Sequence, residues 1–288
     1  MPLRHILLAL LVVAIWGVNF TVMKMSVTAL PPILAAALRF LFAAFPAVLF
    51  VPMPKVNWSR IVLFGLFFGF GLYAFLNFAL FAGMGAGLSS VVLQVQAFFT
   101  MALAFFLLGE RPRPIQIVGA VIAFSGILVI ALERLEGSGL VSLALVVAAA
   151  MCWGVANIVS KRTRGADPMA LTVWGAVVAM VPLFLLSFAV EGIETGWHAV
   201  LGADLFTWGI IAFLAYPATL LSLGIWNWLL RQHPASTVAP FSLLVPVTGP
   251  LSGWLMLGET VSGVELAGAL LVVAGLVFPL LRRARTVA

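Results

Sequence analysis

AIWGVNFTVMK (residues 14–24) and MCWGVANIVSK (151–161) read as one helix written twice. Aligned, they share Trp16/Trp153, Gly17/Gly154, Val18/Val155, Val22/Val159 and Lys24/Lys161, at an offset of 137 positions. Each lies inside a long apolar run and ends on a lysine. The side of the boundary on which each lysine falls decides the fold.

The boundary is a membrane. Of 288 residues, 64% are hydrophobic and 8% charged, against about 25% charged in soluble domains. So apolar a chain cannot cover a globule with water-compatible groups. The 23 Phe and 9 Trp suit surfaces facing lipid and its interfaces. The net charge of +6 sits in short loops, a pattern of membrane orientation, so nucleic acid is not an expected partner. A single cysteine, Cys152, excludes an intrachain disulfide and a cysteine-based metal site. No cofactor or metal is expected. The start, MPLRHILLALLVVAIWG, has a basic head and an apolar run like a signal peptide. It has no convincing small-x-small site, and equal segments fill the chain, so it reads as a first spanning helix.

About 20 residues cross the hydrocarbon. Breaks rich in Pro, Gly or charge divide the chain into ten segments, near 6–26, 33–51, 61–82, 88–108, 115–132, 140–160, 169–190, 205–230, 235–257 and 264–281. With a cytoplasmic N-terminus, twelve of the fifteen Lys and Arg fall inside, and Lys24, Arg39 and Arg134 fall outward. The longest outer loop, 191–204, carries Glu191, Glu194 and Asp204 and no Lys or Arg. Cytoplasmic N- and C-termini in the inner (plasma) membrane follow from this bias.

A second match fixes the parity. LLGERPRPIQIVGAVIAFSG (107–126) aligns with MLGETVSGVELAGALLVVAG (256–275), pairing Leu108-Gly109-Glu110 with Leu257-Gly258-Glu259, Gly119 with Gly268 and Gly126 with Gly275. FLNFAL (75–80) stands opposite IWNWLL (225–230). Each half holds five segments. Five is odd, so the second copy enters the membrane from the other side, as in the inverted repeats of secondary transporters.

In these residues the chain resembles the drug/metabolite transporter superfamily, in its ten-helix EamA-type exporter branch. The resemblance rests on Trp16-Gly17, Trp153-Gly154, Arg39-Phe40 and the two Leu-Gly-Glu motifs. Within the branch it is most similar to the YddG-type exporters of aromatic and other neutral amino acids. The resemblance implies a carrier with a central cavity lined mainly by segments 1, 3, 4, 6, 8 and 9. The expected fold is therefore an all-α membrane protein, ten transmembrane helices in two inverted five-helix repeats around a central cavity. Residues 1–132 form the first repeat, 133–139 the connection and 140–288 the second. A monomer in the lipid bilayer is expected.

Polar groups in a span face the protein interior. Trp16, Asn19, Phe20 and Met23 share one helical face, and so do Trp153, Ala156, Asn157 and Ser160. Rings beside amides suit a small organic solute with hydrogen-bonding ends; the alternative is that the amides bond neighbouring helices and the rings pack. Tyr73 and Asn77 are one turn apart, Tyr216, Leu220, Leu223 and Asn227 form a stripe, and Ser90, Gln94, Phe98 and Met101 form another. Gln94 and Gln96 lie about 200° apart, so one faces the cavity and one a neighbour; Gln94 is preferred for the cavity. The substrate-binding set is thus Trp16, Asn19, Phe20, Tyr73, Asn77, Gln94, Phe98, Trp153, Asn157, Tyr216 and Asn227. Arg39, roughly 9 Å below the outer boundary at 1.5 Å per residue, either attracts a carboxylate, snorkels outward or pairs with a helix end. Its counterpart is Ala176, which favours a structural role.

All nine Asp and Glu fall in loops or at helix ends. The family's small multidrug members carry a glutamate in their first helix, and this chain does not. Export of small neutral metabolites by alternating access, not strictly proton-driven, is the expectation, with amino acids including aromatic ones as substrates. Exporters or exchangers of other metabolites such as sugar phosphates or drugs are the alternative, with a membrane channel behind them. An enzyme would need a reactive constellation such as H-E-x-x-H or G-x-S-x-G, and a channel a filter or charged rings. The chain has neither.

Overall fold

The computed structural model describes residues 1–133, 139–163, 165–233 and 235–285. Arg134, Glu136 and Arg164, placed in loops above, lie outside the described residues. All the regular elements among the described residues are helical. Eight stretches are long and apolar enough to cross a membrane, and two shorter apolar helices follow. We label them α1 (Leu3–Ala29), α2 (Pro32–Ala44), α3 (Trp58–Phe81), α4 (Ala86–Leu108), α5 (Pro114–Glu133), α6 (Gly139–Arg162), α7 (Pro168–Val190), α8 (Leu205–Gln232), α9 (Phe241–Leu257) and α10 (Gly263–Arg285).

Two expectations need correction. The second segment is not one helix over 33–51. Phe45 is extended before Pro46, and a single 3-10 turn, Ala47–Leu49, follows, because a residue before proline is pushed out of the α region. Nor is 191–204 a plain loop, since Ile193–Gly202 is helical. Gly192 starts it from a left-handed conformation, φ 87°. Ile193, Trp197 and Leu201 recur every four residues and are all exposed, a stripe that suits a helix lying in the membrane interface.

The Leu-Gly-Glu motifs are helix stops. Gly109 (φ 68°) and Gly258 (φ 65°) take the left-handed conformation that ends α4 and α9, where a Cβ would be strained. The glutamates that follow then diverge. Glu259 accepts from the Ala86 and Gly87 backbone N–H groups at 2.7 and 3.1 Å, capping α4. Glu110 pairs with Lys161. Two further carboxylates cap helices: Glu191 accepts from Ile33 and Leu34 N–H at 2.6 and 3.0 Å, and Asp204 accepts from Thr207 N–H at 2.8 Å. The Thr207 hydrogen bonds hold the Asp204 carboxyl below its ordinary range.

Close helix approach rests on small residues, since apolar burial drives no association in lipid. Between α5 and α10, a Cβ on Gly119 would lie 2.5 Å from Gly275 O, and one on Gly126 would lie 2.5 Å from Gly268 O. α1 packs on α9, α6 on α4, α2 on α7 and α3 on α6. Gly154 of α6 admits the Phe99 Cβ of α4, and Gly17 of α1 admits Thr248 of α9. The Gly65/Gly69 pair of α3 meets α7 at Gly175, Val178 and Ala179. Four helices carry irregular turns. α3 and α8 each hold a π segment, Gly65–Gly71 and Tyr216–Leu221. A 3-10 segment lies within α4 (Leu93–Val95), and another (Ala239–Leu244) leads into α9.

Candidate functional site

The α1 face meets α8. Trp16 Nε1 donates to Ser222 Oγ at 2.9 Å, and its ring lies 5.0 Å from that of Trp226. Asn19 and Phe20, one turn on, are buried. Asn19 Nδ2 reaches the Met23 sulfur at 3.4 Å, a weak acceptor, and its Oδ1 has no partner.

The α6 face meets α4. Asn157 Nδ2 donates to Gln96 Oε1 at 2.7 Å and to Thr100 Oγ1 at 3.0 Å. The neighbour-bonding glutamine is thus Gln96. Gln94, inside the 3-10 segment, is partly buried and makes no side-chain hydrogen bond among the described residues. Trp153 likewise leaves its indole N–H unbonded while packing on the main apolar cluster. Phe98 is buried, its ring 6.4 Å from that of Phe124.

Tyr73 and Asn77 are on α3, beyond its π segment, and both turn toward α2. Asn77, 3% exposed, donates from Nδ2 to Pro32 O at 2.8 Å, and its Oδ1 is unpartnered. Tyr73 packs edge-on against Phe40 and offers its ring face to Arg39, 4.3 Å from guanidinium carbon to centroid. Arg39 does not snorkel. It is buried and donates from Nε and Nη2 to Thr219 Oγ1 at 3.1 and 2.9 Å. Thr219, in the π segment of α8, donates its hydroxyl hydrogen bond to Leu214 O, five residues back, at 2.8 Å.

Of the α8 stripe, Tyr216 opens the π segment and is 37% exposed, while Asn227 is half-buried without a side-chain hydrogen bond among the described residues. Trp16, Phe20, Tyr73, Phe98 and Trp153 belong to or pack on one apolar cluster; Tyr216 and Asn227 do not. Ser222, Trp226, Thr100, Thr219 and the Thr21–Ser252 contact (2.6 Å) were not foreseen. Hydroxyls at small-residue seams between apolar helices were the available signal.

Two depressions stand out. One, about 520 Å³, is apolar and lined by Leu8, Met169, Leu220, Gly224 and Trp228 among others. The other, about 250 Å³, is lined by Leu108, Glu110, Lys161 and Arg162. None of the eleven candidate residues lines either.

Residues 3–132 and again 140–281 match the model of the EamA-like transporter family. A probable amino-acid metabolite efflux pump of Salmonella typhimurium is 44% identical over 275 residues, covering 93% of this chain and 92% of that protein. One of the same description from Escherichia coli is 41% identical, with 93% and 92% covered. A solved crystal structure, 19% identical, superposes with a TM-score of 0.65 over 98% of this chain and 97% of that one; at that identity the likeness concerns the fold alone.

Proposed function

This chain belongs to the EamA-like transporter family, and we propose that it exports small neutral amino acids and related metabolites by alternating access between two inverted five-helix repeats. It is a membrane transporter rather than an enzyme, as its family and efflux-pump relatives are. Those relatives' descriptions carry the substrate class; aromatic amino acids enter from the Trp16, Trp153 and Phe98 rings.

The contact between α5 and α10 supports the inverted repeat. Exchanging the halves takes Gly119 to Gly268 and Gly126 to Gly275. The contacts Gly119–Gly275 and Gly126–Gly268 then exchange with each other, which is the mark of a two-fold interface. The exchange also maps α1-on-α9 to α6-on-α4, and the π segment of α3 to that of α8.

Under this reading the Lys24 end faces outward and the Lys161 end the cytoplasm, with both termini inside the inner membrane. The outer end is drawn together by Glu259 on the α4 N-terminus and by Lys24 on the Leu80 and Met84 carbonyls. At the inner end the Glu110–Lys161 pair borders an open depression. Transport reverses the two ends. The cavity rim is assigned to the polar tips left unbonded, Gln94, Trp153 and Asn227, with Asn19 and Trp16 opposite.

Counterflow of an amino-acid panel in proteoliposomes tests the reading. Saturable exchange of neutral amino acids, weakened by Asn19→Ala and Gln94→Ala, is expected. Exchange of no amino acid rules out the substrate class, and unchanged kinetics in both variants rule out the site.

A further inference from the structure

Arg39 sits where α2, α3 and α8 meet, 2% exposed. Half of its guanidinium is anchored: Nε and Nη2 are bound to Thr219 Oγ1, and the plane lies over Tyr73. The other half is not, for Nη1 has no hydrogen-bond partner among the described residues. No acid of the described residues neutralises it. Each lies in a connection or in the first or last turn of a helix, and four of them are engaged elsewhere. Glu191 holds the α2 N-terminus and Ser187, Glu259 the α4 N-terminus, Glu110 Lys161 and Asp167 Arg231. A hydroxyl and a ring face solvate a cation but do not cancel its charge. A buried charge is retained where it is paired or where it does a job.

We propose that Arg39 receives the carboxylate of the transported substrate, through Nη1, while Thr219 and Tyr73 hold the fork in place. The proposal rests on the export reading above and narrows its substrate class to molecules bearing a free carboxylate. A guanidinium fixed through its other two nitrogens presents the Nη1 donors at a set place and angle, which the freely rotating ammonium of a lysine does not. One turn beyond Tyr73 on α3, Asn77 offers an unpartnered Oδ1, the kind of acceptor an α-ammonium group requires. The two helices that flank the guanidinium carry the π segments, Gly65–Gly71 just before Tyr73 and Tyr216–Leu221 around Thr219. Such turns give the junction a route to opening without breaking regular helix.

The experiment is counterflow into proteoliposomes with matched pairs: phenylalanine against phenylalanine amide, and phenylpropionate against its amide. The full-length protein is compared with Arg39→Gln, Arg39→Lys and Thr219→Val. The wild type is expected to favour each acid over its amide. Arg39→Gln should raise the KM for the acid by roughly tenfold to a hundredfold, the scale of one hydrogen bond to a charged group, and leave the amide unchanged. Arg39→Lys should keep part of the preference. Thr219→Val, which frees the fork, should lower the preference for the acid in part and leave the amide unchanged. Equal losses on acid and amide in Arg39→Gln mean a strut and overturn the proposal, as does an unchanged ratio. Should the Arg39 variants fail to fold, equal exchange of acid and amide by the wild type overturns it alone. Exchange of amino acids without acid preference removes the role of Arg39 and leaves the export reading standing; exchange of phenylpropionate but no amino acid does the reverse.

Discussion

Lys161 Nζ lies 2.6 Å from both carboxylate oxygens of Glu110, whereas its counterpart Lys24 turns to the carbonyls of Leu80 and Met84. Glu259, the counterpart of Glu110, is thereby left to the backbone of α4. The same two residue types thus make an exposed ion pair at one end and a set of helix-terminus bonds at the other.

These arrangements differ in what they contribute. A carboxylate accepting from two N–H groups at a helix start is worth about 1–2 kcal/mol, while a solvent-exposed ion pair is worth about 0–1 kcal/mol. Glu259→Gln should therefore lower the thermal midpoint of the detergent-purified protein by several degrees, and Glu110→Gln by much less. Equal shifts would contradict the difference in partners.

The α5–α10 seam makes a sharper forecast. Gly119→Ala places a methyl within 2.5 Å of Gly275 O and 2.8 Å of Pro279 Cγ, and backbone cannot step aside as a side chain can. A loss of about 1–3 kcal/mol is expected, as for an overpacked core. Gly209, in α8, has nothing within 4 Å of where its Cβ would stand, so Gly209→Ala should stabilise by about 0.5–1 kcal/mol through helix propensity. Thermal unfolding of the two variants decides; a stabilised Gly119→Ala would refute the close contact.

Much of this was legible beforehand, and the physical reasons mark where legibility ends. Span positions follow from hydropathy and from Pro, Gly and charge at the breaks, so α1, α4 and α7 fall within a few residues of expectation. The Leu-Gly-Glu repeat was readable as a motif, though not as a left-handed stop. The π segments were not readable, because no residue type demands an i→i+5 turn. The fork in Arg39's environment was invisible too. Its Thr219 partner lies 180 positions away, and a threonine in an apolar span announces no role. The expected tie of one glutamine to a neighbouring helix could be framed from a 100° wheel, while its partner, Asn157, needed coordinates.

Gln96 and Asn157 should behave as a unit. Their 2.7 Å bond links α4 to α6, and removing either leaves the other amide partly unsatisfied. Gln96→Ala and Asn157→Ala are expected to destabilise by about 1 kcal/mol each, with a coupling of about 0.5–1.5 kcal/mol in the double-mutant cycle. Gln94→Ala should show no coupling with Asn157→Ala, since the Gln94 side chain makes no hydrogen bond among the described residues. Coupling of Gln94 in place of Gln96 would mean that the two glutamines had been assigned to the wrong faces.

Energy coupling can be tested from the distribution of acids. A proton-driven carrier needs a group within the membrane that changes charge during the cycle, and a carboxylate near a substrate path is the usual means. Here the described carboxylates lie in connections or in the first or last turn of a helix, and the spans hold the cations Lys24 and Arg39. His5 and His233 share a 2.6 Å contact, but at the start of α1 and the end of α8, away from the assigned rim. Proteoliposomes loaded without substrate and given a transmembrane pH step should therefore equilibrate a neutral amino acid without concentrating it, at the same final level in either direction of the step. Accumulation above the external concentration, abolished by a protonophore, would overturn uncoupled transport. If the accumulation also vanished in His233→Gln, it would move the coupling group to that imidazole pair.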